Sequence, residues 1–234
     1  MLSNTVSKLG AYVWCFNIPR STCVNYRTNL CRVACYANRG NFMRPWIQKV
    51  FERNLKESKE PLFVKRICLQ IEDILVDTGI KRIRLHSSGE FYSKTYFKKW
   101  MKISKTFPSI RFLAYTRNTD INLSPVPENF VIYFSIDEST KKINKSSRLY
   151  SYLDSSTPGI AKHLSKHRVL DGFICNSHCY DCDYCFKGKK NIVFYKNMSF
   201  RMSQIKNQYH KAKKAGQIFM QKKSLTDIVG VYHG

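Results

Sequence analysis

Strand-like and helix-like segments alternate along the chain, and this alternation constrains the fold more than any other feature of the sequence. Short apolar runs predict strands at 11–18, 83–86, 110–116, 130–136, 168–174 and 192–195. Apolar residues at helical spacing predict helices at 45–55, 63–75, 93–107 and 203–223. Such alternation is typical of α/β proteins with a parallel sheet, and we predict a partial (β/α) barrel of this kind.

Three residues mark where predicted helices begin and end. Pro45 suits a first helical turn, Ser93 suits an N-cap, and Gly79 suits the turn that closes a helix. The length of 234 residues fits one domain. We expect an α/β core over 1–170, with a cysteine-rich segment and a basic helix over 171–234 packed with it as one unit.

Polar stretches follow three of the predicted strands, at 86–91, 116–118 and 135–138. In parallel α/β folds the functional groups gather at these carboxyl ends. His86 and Glu90 flank a Ser-Ser-Gly turn and are candidates for a general acid–base pair, for metal ligands or for ligand-binding groups. A turn held by serine hydroxyls is the alternative interpretation. Arg117 is suited to hold a phosphate or a carboxylate at the same mouth.

Four cysteines lie within eleven residues near the end of the chain: Cys175, Cys179, Cys182 and Cys185. A zinc ion usually takes two cysteine pairs separated by a longer loop, whereas such short gaps resemble runs that wrap an iron–sulfur cluster. We therefore favour a [4Fe-4S] cluster and keep zinc as the alternative. His178 lies inside the run and is either a substitute ligand or a bystander.

A second group of cysteines, Cys23, Cys31 and Cys35, lies near the start of the chain. Three thiolates leave one metal position open or filled from elsewhere, and Cys15 is a candidate for it. An open iron can bind a substrate or S-adenosylmethionine (SAM), whereas a closed cluster serves structure or electron transfer. The total of nine cysteines is odd, which argues against a disulfide framework. The sequence thus predicts one or two clusters.

Basic residues greatly outnumber acidic ones, with 40 Lys and Arg against 16 Asp and Glu and a net charge of +24. Such an excess favours polyanions, of which nucleic acid, either DNA or RNA, is the usual one. A lysine-rich surface of purely compositional origin is the alternative. Lysines concentrate on the predicted helices 93–107 and 203–223 and in the loop 141–148. No helix-turn-helix, zinc-finger or aromatic RNA-binding signature occurs, so we expect binding without base-specific readout.

Nothing in the sequence predicts a membrane-bound protein. No apolar run approaches the roughly 18 residues of a membrane span. The stretch 1–10 lacks the apolar core of a signal peptide. We therefore expect a cytoplasmic protein with no membrane partner, in the host cytosol if it is viral.

Several motifs, in order, resemble the phage and plasmid gene product 88 family. They are Asn17-Ile18-Pro19, Thr22-Cys23, Cys31-x3-Cys35-Tyr36-Ala37, Arg84-x-His86-x-Ser88-Gly89-Glu90-Phe91, Tyr115-Thr116-Arg117 and the C-terminal cysteine run. The resemblance covers most of the chain. It implies an origin in a phage or plasmid and no particular reaction.

Two of these motifs are also similar to parts of radical-SAM partial barrels. Cys31-x3-Cys35-Tyr36 looks like the start of a radical-SAM cluster loop, but Asn38 stands at the third cysteine position, so Cys23 would replace it. The turn Ser88-Gly89-Glu90 looks like the one that holds the SAM amino group. This resemblance implies SAM as a cofactor of an open-site cluster.

Three functions follow as hypotheses. The first is an iron–sulfur protein of phage or plasmid type that binds nucleic acid, with one cluster on each cysteine run or a site that the runs share. The second is a radical-SAM-like enzyme. The third is a zinc-stapled basic scaffold that binds nucleic acid without chemistry.

Overall fold

The computed structural model describes residues 1–4, 13–28, 31–32, 35–38, 40–137, 140–154, 173–175, 179 and 182–195. These residues form an α/β fold in which helices pack on a mostly parallel sheet, as the sequence predicts. The predicted helix 203–223 and His178 lie outside the described residues.

Eight strands form the described sheet: β1 (Ser3–Asn4), β2 (Val13–Phe16), β3 (Arg82–Leu85), β4 (Arg111–Thr116), β5 (Phe130–Asp137), β6 (Leu149–Asp154), β7 (Phe173–Ile174) and β8 (Ile192–Tyr195). Their order across the sheet is β1-β2-β3-β4-β5-β6-β8-β7. β1 is antiparallel to β2, and the other described pairings are parallel. From β2 to β6 each strand neighbours the next one in the chain. The carboxyl ends of these strands therefore follow one another along one edge of the sheet.

Four helices accompany the strands: α1 (Pro45–Lys59), α2 (Phe63–Thr78), α3 (Lys94–Thr106) and the short α4 (Tyr184–Lys187). The predicted helix ends are confirmed. Pro45 occupies the first turn of α1, and Gly79 closes α2 in the left-handed conformation. The Ser93 hydroxyl caps α3 by accepting the Tyr96 N–H at 3.1 Å. Among the described residues, no helix is both long and apolar enough to cross a bilayer.

The main hydrophobic core lies between the sheet and α1, α2 and α3. Its centre is aromatic: the fully buried ring of Trp100 lies 5.1 Å from that of Phe16 and 5.6 Å from that of Phe63. Edge-to-face packing of this kind stabilises a core beyond its area alone. On the opposite face, Phe186 of α4 packs with Leu113 and Tyr133. The segment that carries the second cysteine run thus covers the sheet directly.

β1 and β6 are not among the predicted strands. In β6, Tyr150 and Tyr152 pack with the main core, while Leu149 belongs to the cluster on the other face. The hydroxyl of Ser151 hydrogen-bonds that of Ser135 on β5 at 2.8 Å. A strand with a serine on one face and tyrosines on the other lacks the continuous apolar run that predicts a buried strand.

Candidate metal site at the carboxyl ends of the strands

The turn after β3 approaches the loop after β2 so closely that it requires a glycine. Gly89 has φ +90°, and a Cβ there would lie 2.3 Å from Ile18 Cγ1 and 2.7 Å from the Ile18 carbonyl oxygen. The Ile18 N–H donates to the Ser88 carbonyl at 3.2 Å, and the Ser88 N–H donates to Asn17 Oδ1 at 3.1 Å. Ser88 and Gly89, predicted to bind a cofactor, thus join the two loops.

Replacing Gly89 with alanine is expected to lower the free energy of unfolding by about 2–5 kcal/mol, because the new Cβ overlaps backbone as well as side chain. Gly79→Ala is the matched control. It shares a positive φ, +59°, but nothing lies within 4 Å of its Cβ, so only a backbone cost of about 1–2 kcal/mol is expected. Urea unfolding of both variants measures the difference, and equal losses would contradict the close approach.

Glu90 is buried, and its carboxylate ties the same turn to the end of β4. Oε1 accepts the Thr116 hydroxyl and the Phe91 N–H, and Oε2 accepts the Arg117 N–H, all at 2.7 Å. Burial raises the pKa of Glu90 to about 7, although these three donors oppose the shift. A carboxylate offers about four acceptor positions. Within the described residues, one acceptor position on Oε2 therefore has no hydrogen-bond partner.

His86 faces the aromatic core. Its Nε2 lies 2.9 Å from the Tyr96 hydroxyl, and its ring packs edge-to-face on Phe91 at 4.5 Å. Burial lowers the pKa of His86 to about 3, so the imidazole is neutral. Its Nδ1 has no hydrogen-bond partner within the described part of the chain. The imidazole and the Glu90 carboxylate thus have different partners, and their acid–base pairing stays a prediction.

Arg117 forms a buried ion pair with Asp137, at 2.9 Å between its Nη2 and Oδ2. The Thr28 hydroxyl donates to the same Oδ2, and Thr28 Oγ1 accepts the Cys31 N–H at 3.1 Å. The end of β5 is thereby connected to the first cysteine run. Arg117 acts here as the partner of a protein carboxylate, and its predicted role of holding a phosphate or a carboxylate of a ligand stays a prediction.

The three cysteines of the first run lie together above this network. The Cys31 thiol donates to Cys35, and this hydrogen bond is the main reason that the pKa of Cys35 falls to about 6. Burial raises the pKa of Cys23 to about 12, and Cys23 interacts electrostatically with the other two. Because the Glu90 N–H donates to the Thr22 hydroxyl at 3.0 Å, Cys23 stands beside Glu90.

Arginines surround these thiols. Arg20 and Arg27 lie within electrostatic range of Cys35, and Arg117 lies within range of Cys31. Positive charge favours thiolate, which is the form of cysteine that binds metals. Among the three cysteines, however, only the pKa of Cys35 is lowered, since the hydrogen bond to Cys35 raises the pKa of Cys31 and burial raises that of Cys23.

The described cysteines of the second run lie near β7 and α4. Cys175 directly follows β7 and donates its N–H to the backbone of β8 at 2.8 Å, while Cys182 lies just before α4. Cys185 on α4 interacts electrostatically with Cys175 and Cys179. Burial raises the pKa of Cys185 to about 12, against a hydrogen bond from Tyr115. The structure thus brings Cys185 near two of its three partners.

Arg84 of β3 lies between the two cysteine runs. Its guanidinium is 3.4 Å from the hydroxyl of Tyr36, which borders the first run, and 5.5 Å from the centre of the Tyr115 ring. It is also within electrostatic range of Cys15 and Cys185. Arg84 was not among the predicted site residues. The signal that could have identified it is a charged residue within the predicted strand Arg-Ile-Arg-Leu.

Within the described residues, no group of three or more His, Cys, Asp or Glu side chains is arranged to hold a metal ion. Cys15 is fully buried on β2, opposite Arg84 in the strand pairing.

Asp137 and Thr28 were also missed as site residues. A carboxylate at the end of an apolar strand is the signal for Asp137.

A separate groove of about 540 Å³ runs between α3 and the segment 120–125. Its basic wall consists of Lys94, Lys98, Lys102 and Lys105, and its lining includes one acidic residue, Asp120. Lys99 is also a lysine of the predicted helix 93–107 but has another role. Its Nζ donates to the carbonyls of Ser58 and Glu60 at 2.9 and 2.8 Å, which ties α3 to the end of α1.

The sequence of the chain is similar to a known protein family and to two phage proteins. The family model described as "Gene product 88" matches residues 2–183. The Gene 88 protein of Mycobacterium phage L5 is 22% identical over 191 residues, which cover 71% of this chain and 79% of that protein. The Gene 88 protein of Mycobacterium phage D29 is 24% identical over 190 residues, with the same shares. No solved structure matches the chain.

Proposed function

The chain belongs to the gene product 88 family, and we propose that it is an iron–sulfur protein that binds nucleic acid. One observation carries the proposal. Cys23, Cys31 and Cys35 meet among arginines, at the edge of the sheet where functional groups gather in parallel α/β folds.

The donors of this site are three cysteine side chains among arginines, and cysteine thiolates are the ligands of iron–sulfur clusters. The thiolates of a [4Fe-4S] cluster each bind a separate iron. Cys23, Cys31 and Cys35 would hold three irons and leave the fourth to another ligand. A cluster held in this way supplies either an open iron for binding or a centre for electron transfer. The chain's own part is to hold the thiolates and to balance their charge with arginine.

The second run would hold a cluster of its own, on Cys175, Cys179, Cys182 and Cys185. Here the Tyr115 hydroxyl, which hydrogen-bonds Cys185, would lie beside the sulfur atoms. Hydrogen bonds to sulfur are among the factors that set the reduction potential of a cluster. Such thiolates persist in a reducing compartment, so we place the protein in the cytosol of the host.

The strand order supports a further part of the proposal. β2 to β6 follow one another across the sheet as they do along the chain, which is the order found in a (β/α) barrel. We interpret the described sheet as part of such a barrel. The three-cysteine site would then lie at its mouth.

The groove beside α3 supports the proposed binding of nucleic acid. Lys94 to Lys105 span about 16 Å of helix at 1.5 Å per residue, and four lysines of this span are among the residues that line the groove. A row of cations with a single acid nearby suits a chain of phosphates, and it contacts no base edge. The binding is therefore expected to be independent of base sequence and to weaken steeply with salt.

Anaerobic purification followed by iron, sulfide and zinc analysis tests the proposed metal. About eight irons per chain with equal sulfide and broad absorption at about 400 nm would support two clusters, and about four irons would support one. Colourless protein that contains zinc and no acid-labile sulfide would overturn the cluster and support the zinc-stapled scaffold instead.

Replacing both Lys98 and Lys102 with glutamine is expected to reduce the salt dependence of nucleic-acid binding. Each lysine that contacts a phosphate adds about one unit to the slope of log K against log salt, so the slope should fall by about two. Lys56→Gln combined with Lys65→Gln is the matched control, because both residues are exposed on other helices. The slope is measured by titrating a labelled oligonucleotide at several salt concentrations. Equal slopes in the two double variants would exclude the groove.

A radical-SAM-like enzyme is the second candidate, and Glu90 favours it. The carboxylate keeps one acceptor position and stands beside Cys23. An amino group of SAM could use that position. Reconstituted protein is incubated anaerobically with SAM and a strong reductant. Formation of 5′-deoxyadenosine above background would support the enzyme, and its absence would exclude it.

A further inference from the structure

The surface around the first cysteine run is positively charged for a reason that lies in the sequence. Residues 1–51 contain no Asp or Glu, and Glu52 is the first acid of the chain. The same stretch carries seven lysines and arginines. Among the described residues, four arginines of this stretch form no salt bridge: Arg20, Arg27, Arg32 and Arg44. Arg27 Nη2 donates to the Arg20 carbonyl, but no carboxylate within the described part of the chain neutralises any of the four, so they can still attract an anionic partner.

Exposed aromatic rings occupy the same surface. In the part of the chain that the structure describes, Tyr36 and Trp46 are the exposed aromatic side chains, at 51% and 59%. The Tyr36 ring is fixed, because it packs edge-to-face on Phe42 at 5.6 Å and its hydroxyl accepts from Arg84. The Arg44 guanidinium lies 5.3 Å from the centre of the Trp46 ring. Both rings are held in place with much of their surface open to a partner.

Arginines without a carboxylate partner, beside exposed aromatic rings, offer the groups that bind the phosphates and bases of a single nucleic-acid strand. Guanidinium groups bind phosphates through paired hydrogen bonds, and aromatic rings stack on bases that a duplex would hide. We propose that Arg20, Arg27, Arg32 and Arg44, with Tyr36 and Trp46, form a surface that binds single-stranded nucleic acid. Tyr36 follows Cys35 directly, so the strand would pass over the mouth of the three-cysteine site.

This inference rests on the proposed binding of nucleic acid and adds the form of the partner and its position. It differs from the groove beside α3 in chemistry. The groove offers lysines without an exposed aromatic ring among its lining residues, whereas this surface offers rings that discriminate an unpaired strand from a duplex. The two surfaces can therefore be tested separately on the same full-length protein.

The test compares binding of a labelled single strand of about 16 nucleotides with binding of the corresponding duplex. Trp46→Ala is expected to weaken single-strand binding about 5- to 100-fold and to leave duplex binding within about twofold, since stacking on one base is lost. Trp46→Phe should retain most of the affinity, because a phenyl ring still stacks. Val76→Ala, at an apolar side chain that is 87% exposed on α2, is the control and should change neither affinity.

The outcomes separate this inference from the proposed function. Unchanged single-strand affinity in Trp46→Ala and in Arg44→Gln, with weaker binding in the Lys98 and Lys102 variant, would overturn the surface and leave the nucleic-acid function standing. Failure of the unaltered protein to bind either strand or duplex at low salt would overturn the nucleic-acid function itself.

Discussion

Replacing Cys31 with serine is expected to lower bound iron from about eight to about four atoms per chain. The three-cysteine run already lacks a fourth thiolate, so it cannot hold a cluster once a second position is lost. Iron and sulfide analysis of anaerobically purified protein, together with the visible spectrum, measures the loss.

Two control variants make this result specific. Cys68→Ser should leave the iron content unchanged, because Cys68 lies on α2 against the main hydrophobic core. Cys185→Ser should remove the other half of the iron, since Cys185 is the cysteine of the second run that the structure surrounds with Cys175 and Cys179. If Cys31→Ser or Cys185→Ser alone removes all the iron, the two runs share one cluster and the assignment of separate clusters is wrong.

Local chemistry explains the parts of the fold that the sequence predicted. A proline in a first turn, a serine cap and a closing glycine act on their own neighbours, so Pro45, Ser93 and Gly79 could be identified without knowledge of the fold. The α/β class followed from alternation for the same reason. β6 was missed because Tyr152 becomes buried, and Tyr150 partly buried, only after β5 and β8 pair with it.

The candidate site was predicted in its cysteines and only partly in its supporting residues. The cysteine runs are visible because their spacing is local. The contacts that position them are not local: Thr28 reaches Asp137 and Glu90 reaches Thr116 across different strand connections. Such pairings exist only once the strands are in register. The sequence could indicate that Glu90 mattered, but it could not indicate that Thr116 would be its partner.

Replacing Asp137 with asparagine is expected to lower the free energy of unfolding by about 3–5 kcal/mol, because it leaves the largely buried Arg117 without its counter-charge. Asparagine keeps the shape of the side chain, so the loss reports charge and not volume. Asp183→Asn is the matched control. Its pairs with Arg82 and Lys187 are partly exposed, and such pairs contribute about 0–1 kcal/mol.

A second measurement connects this ion pair to the metal site. Asp137 holds Thr28, and Thr28 holds the backbone of Cys31. Asp137→Asn should therefore also lower the occupancy of the first cluster, while Asp183→Asn should not. A destabilised variant that retains all its iron would show that the pair supports the fold without positioning Cys31. Equal unfolding free energies for the two variants would show that the buried pair contributes no more than an exposed one. Loss of both stability and iron in Asp137→Asn alone would establish that the end of β5 acts on the cysteines through Thr28.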